Sequence, residues 1–266
     1  MYRQASIDIG KKNFSEWVDE IPKALLDEYT ARVKKFSLTQ RKLCCKNESI
    51  SEIVHEMLTH TKCIHFGVYD LRDNKESDDL DIPTRRNIIK HLEDVSGYFE
   101  MCDKIIIEQQ FVKLIGGKKA ASKTKASANF DAVKIQEIVT SWIITRFPDK
   151  EIIVFSAKYK THVFGAPIMN DKERKLWSVD KAIEVFKLQK NKEMLLLYKL
   201  VEDVKYKRNW TEEKVKEYLQ PFKGYNEDVR RTAELIVRRQ QKKMDDVSDA
   251  MLQSAAAKYR VLLAGI

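Results

Sequence analysis

Ala5-Ser6-Ile7-Asp8-Ile9-Gly10 is an apolar run interrupted by one carboxylate. Read as a buried strand over residues 4–9, it carries an acid towards the strand's end. A carboxylate there is costly unless a cation offsets its charge. The pattern recurs at Ile105-Ile106-Ile107-Glu108-Gln109-Gln110. A third block, Lys242-Lys243-Met244-Asp245-Asp246-Val247-Ser248-Asp249-Ala250, heads an apolar helical segment. Two strands and a helix start, all bearing acids, imply one shared cation site.

The chain between these blocks supplies the rest of a sheet. Phe14 to Val18 alternates as a short second strand, and Cys63 to Leu71 reads as a third. Residues 22–36 and 48–59 have a helical period, the first with Pro22 at its start. Over residues 84–101, Ile88, Ile89, Leu92, Val95 and Phe99 share one helical face. The Lys104–Gln109 strand follows, then a loop at 111–127, a helix at 129–146 and a fifth strand at Glu151–Phe155. From Lys172 onward the chain is charged and helical, and the last helix runs from about Asp246 to Leu262. Three strands, a helix, a strand, a helix, a strand and then helices is the order of an RNase H-like α/β fold: a mixed five-stranded sheet flanked by helices. The expected organisation is one domain over residues 1–266, with helical insertions at about 20–60 and 186–240.

The 49 Lys and Arg against 40 Asp and Glu leave a net charge of +9, a balance that favours a polyanionic partner. Cys44, Cys45, Cys63 and Cys102 have neither a disulfide framework nor zinc-ligand spacing, which points to reduced thiols inside a cell. No apolar stretch approaches the roughly 20 residues of a membrane span, so no membrane is expected as a partner. An actin-like ATPase or sugar kinase would also suit Ser6 to Gly10. Such proteins need Gly-rich phosphate loops, and none of the 8 glycines forms one.

In a sheet of this order the first and fourth strands lie side by side, which sets Asp8 against Glu108. Asp246 and Asp249 are three residues apart and share a helix face. Acids converging this way repel one another unless divalent cations join them or their pKa values rise. Oxygen donors of this kind suit Mg²⁺, with Mn²⁺ as a substitute. Two such ions activate a water and stabilise the departing oxygen in phosphodiester cleavage. Asp245 reads as a helix cap or a solvated neighbour.

Ser6-Ile7-Asp8-Ile9-Gly10-Lys11-Lys12-Asn13, Ile107-Glu108-Gln109-Gln110 and the Lys242–Ala250 block resemble the signature blocks of RuvC-type Holliday junction resolvases. The likeness is to the branch found in poxviruses, other large DNA viruses and fungal mitochondria. It implies a Mg²⁺-dependent crossover junction endodeoxyribonuclease with Asp8, Glu108, Asp246 and Asp249 as catalytic residues holding two Mg²⁺. It also implies a homodimer that nicks two strands of a four-way DNA junction symmetrically. The family takes a further basic residue from between the fifth strand and the last helix. Lys172-Glu173-Arg174-Lys175 followed by Ser178-Val179 resembles that segment, with Lys175 first in line and Lys172 and Arg174 as alternatives. The insertions depart from the compact bacterial pattern, so family DNA contacts do not carry over with the acids. With the first strand starting near Arg3, no presequence is expected, which favours a viral protein in a host cell over the mitochondrial branch.

Lys113, Lys118, Lys119, Lys123 and Lys125 lie in the loop after Glu108, where Gly116 and Gly117 permit close approach to a phosphate backbone. Arg230, Arg231, Arg238, Arg239, Lys242 and Lys243 run towards the last acids and suit phosphates equally. Of these, Lys118, Lys119, Lys123 and Lys243 are the expected DNA contacts. The rival readings are another RNase H-like nuclease, acting on flaps or RNA–DNA hybrids, and a non-catalytic junction-binding protein.

Overall fold

The computed structural model describes residues 1–10, 12–75, 80–110, 130–205, 211–238 and 244–266. In chain order the strands are β1 (Tyr2–Asp8), β2 (Phe14–Ile21), β3 (Lys62–Tyr69), β4 (Lys104–Glu108) and β5 (Glu151–Phe155). The helices are α1 (Lys23–Lys34), α2 (Leu38–Lys42), α3 (Glu48–His60), α4 (Ile82–Asp94), α5 (Ser96–Glu100) and α6 (Phe130–Arg146), then α7 (Lys158–Val163), α8 (Asp171–Leu188), α9 (Lys192–Val204), α10 (Glu212–Leu219), α11 (Glu227–Val237) and α12 (Asp245–Ala257).

Among the described residues the strands form one mixed sheet in the order β3-β2-β1-β4-β5. β2 is antiparallel to both β1 and β3, whereas β4 is parallel to β1 and β5. This is the RNase H-like arrangement expected from the strand order. The helix expected over 84–101 is divided: α4 stops at Asp94, and α5 begins at Ser96 beyond a break at Val95. Beyond Ala257, α12 loosens into a π-helical stretch, Lys258–Leu263.

Strand alternation sorts the core into two layers. Ala5, Ile7, Ile105 and Ile107 face a cluster with Ile88, Leu92, Phe99, Ile135 and Val139 of α4, α5 and α6. On the other face Trp17, Phe66 and Ile106 join a larger cluster drawn from α1, α3, α8, α9, α11 and α12. α12 crosses this second face, and every residue from Val247 to Ala257 is buried. Its small residues, Ser248, Ala250, Ser254, Ala255 and Ala256, allow the close approach that burial on all sides requires.

A line of buried polar groups fixes α12 along the strands. Ser15 Oγ donates to the Asp246 carbonyl at 2.9 Å. Gln253 Nε2 donates to Ser6 Oγ at 3.1 Å and to the Ile7 carbonyl at 3.2 Å. Gln4 Nε2 donates to the Ser254 carbonyl at 2.9 Å, and Ser254 Oγ donates to Asp19 Oδ2 at 2.8 Å. Lys258, fully buried, forms an ion pair with Asp19. A slip of α12 by one residue would strand all of these groups without partners.

A second buried network ties α11 to the sheet. His65 on β3 bonds through Nε2 to Glu16 of β2 and through Nδ1 to Asp228 of α11, both at 2.8 Å. Its ring stacks on Tyr98 of α5 with centroids 4.0 Å apart. His91 of α4 faces the other Glu16 oxygen at 3.4 Å. Burial alone would raise the Glu16 carboxyl and lower the His65 imidazole. Hydrogen bonding between the acids and the imidazoles outweighs it, leaving Glu16 at about 2 and His65 at about 9.

Because the folded value for His65 stands above its ordinary 6.5, its contribution is complete below about pH 6.5 and is lost as pH rises through 9. The shift corresponds to roughly 3 kcal/mol. Urea denaturation across this window is expected to show a fall of that order for the wild type relative to His65→Asn. Parallel pH curves for the two proteins would mean that His65 is neutral throughout.

Candidate active site

β1 and β4 run parallel with Ile7 opposite Ile107, so Asp8 and Glu108 leave the same edge of the sheet on adjacent strands. Asp8 shares its strand face with Gln4 and Ser6, and Glu108 shares its face with Ile106. That face is the one α12 crosses. The Ser15 bond to the Asp246 carbonyl brings the head of α12 to this edge, so Asp249, one turn on, meets the two strand acids.

The Asp8 carboxyl is held well above the usual carboxylate range, first by burial and then by Glu108, to which it is hydrogen-bonded. Gln110 Nε2 donates to Glu108 Oε2 at 2.9 Å and orients that carboxylate. Asp249 Oδ1 accepts a hydrogen bond from Ser178 Oγ of α8 at 2.7 Å.

The cation among these acids is Lys160, on the short helix that follows β5. Its Nζ lies 3.0 Å from Asp249 Oδ1 and 3.7 Å from Glu108 Oε1. Burial by itself would lower the Lys160 pKa. Asp249, Glu108 and Asp8 outweigh burial and raise it, so the ammonium stays charged. Arg174 Nη1 stands 3.9 Å from Asp249 Oδ2 and is a third exposed.

The structure therefore brings Asp8, Glu108 and Asp249 together around Lys160. Asp246 is half-buried on the first turn of α12. Lys175 pairs with Asp245 at 2.9 Å instead of standing between the strand acids. That bond, with Asp246 and Asp249 also near, raises its pKa. Asp245 differs from the cap or solvated residue expected for it. α12 begins after Met244 with no side-chain cap, and Asp245 turns inward, 4% exposed, onto Lys175. Lys118, Lys119, Lys123 and Lys243 lie outside the described residues.

Lys160 was not expected from the sequence. The available signal was sheet order: β5 lies beside β4 and runs parallel to it. The residues after β5 therefore emerge at the same edge as Glu108.

Acceptor-only oxygens crowded around a positive charge are the donor set of a hard divalent cation. Glu108 and Asp249 fit that description around the Lys160 ammonium, which supplies the charge such an ion would bring, and Asp8 joins them once its raised carboxyl gives up its proton. As they stand, no group of three or more His, Cys, Asp or Glu side chains among the described residues could hold a metal together.

No family model matches the chain. Uncharacterized protein 97L of Invertebrate iridescent virus 3 is 27% identical over 89 residues, which cover 33% of this chain and 36% of that protein. The chain thus matches only about a third of the length of this relative. The crystal structure of the fowlpox virus Holliday junction resolvase aligns over 94% of this chain and 93% of that one, with 12% identity and a TM-score of 0.37. Among the described residues, no helix is long and apolar enough to cross a membrane.

Removing the buried ammonium leaves three acids uncompensated. Lys160→Met is expected to lose about 3 kcal/mol of stability, read by urea denaturation without divalent ions. Mg²⁺ is expected to raise the variant's Tm more than that of the wild type, because binding to the folded state alone stabilises it. A variant as stable as the wild type would show that Lys160 does not offset these acids.

Proposed function

We propose that this chain is a metal-dependent, structure-selective endonuclease that resolves four-way DNA junctions by paired symmetric nicks. The observation that carries the reading is the meeting of Asp8, Glu108 and Asp249, drawn from both ends of the chain, around one buried lysine at the edge of an RNase H-like sheet. Folding alone gains nothing from that repulsion. The net charge of +9 suits a nucleic acid.

In this reading Asp8, Glu108, Asp246 and Asp249 hold two Mg²⁺, or Mn²⁺ in their place. When bound, the ions supply water activation and charge stabilisation at the departing oxygen. The protein's own groups prepare that site. Gln110 and Ser178 hold Glu108 and Asp249 in orientation. Lys160 keeps the acids from repelling one another and carries a positive charge to the place where a phosphate must enter. Arg174 stands at the outer side of Asp249, in reach of the same phosphate. Lys175 braces Asp245 and so the first turn of α12. Lys118, Lys119, Lys123 and Lys243 are assigned to the phosphate backbone.

Asp246→Asn is expected to lower the rate of junction nicking with Mg²⁺ by at least about a hundredfold, the loss of a few kcal/mol of transition-state stabilisation. Junction affinity should persist or rise, because one acid no longer repels the phosphate. Undiminished cleavage would remove the acids from the chemistry. Faster cutting of flaps or RNA–DNA hybrids than of four-way junctions would reassign the substrate.

A four-way junction has two-fold symmetry, and each chain carries one acid set. Paired nicks therefore call for two chains about a common axis. Sedimentation of the protein, alone and on a junction, is expected to give a dimer, with both nicks made in one encounter. A monomer that stays one-to-one with the junction and makes single nicks would contradict the resolvase reading.

A further inference from the structure

Beside the acids lies a groove of about 570 Å³ whose described lining contains no carboxylate. Lys158, Tyr159 and His162 enter it from α7, Lys42 from α2, Arg174 from α8 and Arg260 from the π-helical stretch. The groove is continuous with the site at two points. Arg174 touches Asp249 at 3.9 Å, and Lys160, two residues from Lys158, turns from the same helix into the acids.

We propose that this groove carries the sugar–phosphate backbone of the DNA strand as it runs to or from the acid site. The inference rests on the nuclease reading above and assigns to it a contact surface that includes the first helical insertion.

Three observations support it. Four cations share one concavity with no acid in its described lining. Arg174 has Asp249 and Asp171 at its outer side, at 3.9 and 3.6 Å, and Lys42, Lys158 and Arg260 leave the rest of the concavity positive, an arrangement that favours anions from outside. The wall bearing Lys42 is fixed in place: Tyr259 Oη donates to the Arg41 carbonyl at 2.7 Å, and Arg41 in turn bonds the Ala264 carbonyl. The aromatic floor is already occupied. Arg260 lies 3.8 Å over the Tyr159 ring and Lys158 lies 5.3 Å from its centroid, so the ring holds cations in position at the floor of the groove. A groove of this size admits one strand, not a duplex, and it reads phosphates, not sequence.

His162 completes the picture. Its Nδ1 is buried without a hydrogen-bond partner. Burial, followed by Arg260 and Lys46, holds its pKa below the ordinary value. The imidazole thus favours its neutral form, through burial first and the neighbouring cations second.

The test uses the full-length protein with Lys42→Ala and Lys158→Ala combined. Both side chains are exposed, and neither contacts the acids. Affinity for a four-way junction is measured across a salt series without divalent ions, and folding is checked by thermal melting. The expected result is weaker binding, with the slope of log affinity against log salt reduced by about 1.8, for two lost phosphate contacts. Arg260→Lys, which keeps the charge, should retain the wild-type slope. A wild type that binds junctions with a steep salt slope, beside a double variant of equal slope, would overturn the groove and leave the nuclease reading standing. A wild type that binds no branched DNA would overturn both. A slope loss on RNA–DNA hybrids alone would overturn the assignment to a DNA strand.

Discussion

The seating of α12 on the sheet is the constraint on which the rest of the molecule depends. A helix surrounded on every side by protein gains little orientation from hydrophobic burial, which is non-directional. Its direction and register come from hydrogen bonds: Ser15 to the Asp246 carbonyl, Gln253 to Ser6 and Ile7, Ser254 to Gln4 and Asp19. Each of these groups is buried and loses its water on folding, so each must find its partner. The same bonds that register the helix therefore deliver Asp249 to Asp8 and Glu108, residues more than a hundred positions away in the chain.

The sheet was readable because buried strands leave continuous apolar runs, and because Asp8 and Glu108 interrupt those runs at matching places. The acids were readable for the same reason: charge in an apolar context is rare enough to be noticed. Lys160 was not. Its neighbours, Lys158 and Tyr159, give it the look of a surface lysine, and α7 is too short for a helical period to show which face is buried. Only the adjacency of β4 and β5 places it. The break between α4 and α5 was hidden differently. Ile88, Leu92, Val95 and Phe99 keep one apolar stripe across it, so periodicity runs on where the helix does not. Asp245 was misjudged because local sequence weighs capping, whereas the fold offered Lys175 as a partner.

The helices between β2 and β3, and those between α8 and α12, share in the core under the sheet. α1 and α3 pack Tyr29, Ile50 and Met57 into it, and α9 and α11 add Leu197, Ala233 and Ile236. The Glu16–His65–Asp228 chain gives α11 a polar anchor as well. Stability and access to the acids thus draw on one set of contacts, and a change in these helices reaches the site through packing.

The crowding of Asp8 against Glu108 gives the molecule an unequal exposure to chance. Substituting Asp8 relieves its repulsion with Glu108, whereas Glu108 and Asp249 are tied to the buried Lys160 and leave it short of a partner when removed. Proteins are generally purged of changes that lower stability, not of those that raise it. Without a demand for activity, a lineage of this fold would shed Asp8 before the two acids that hold Lys160. Asp8 persists where something outside the folded chain requires it.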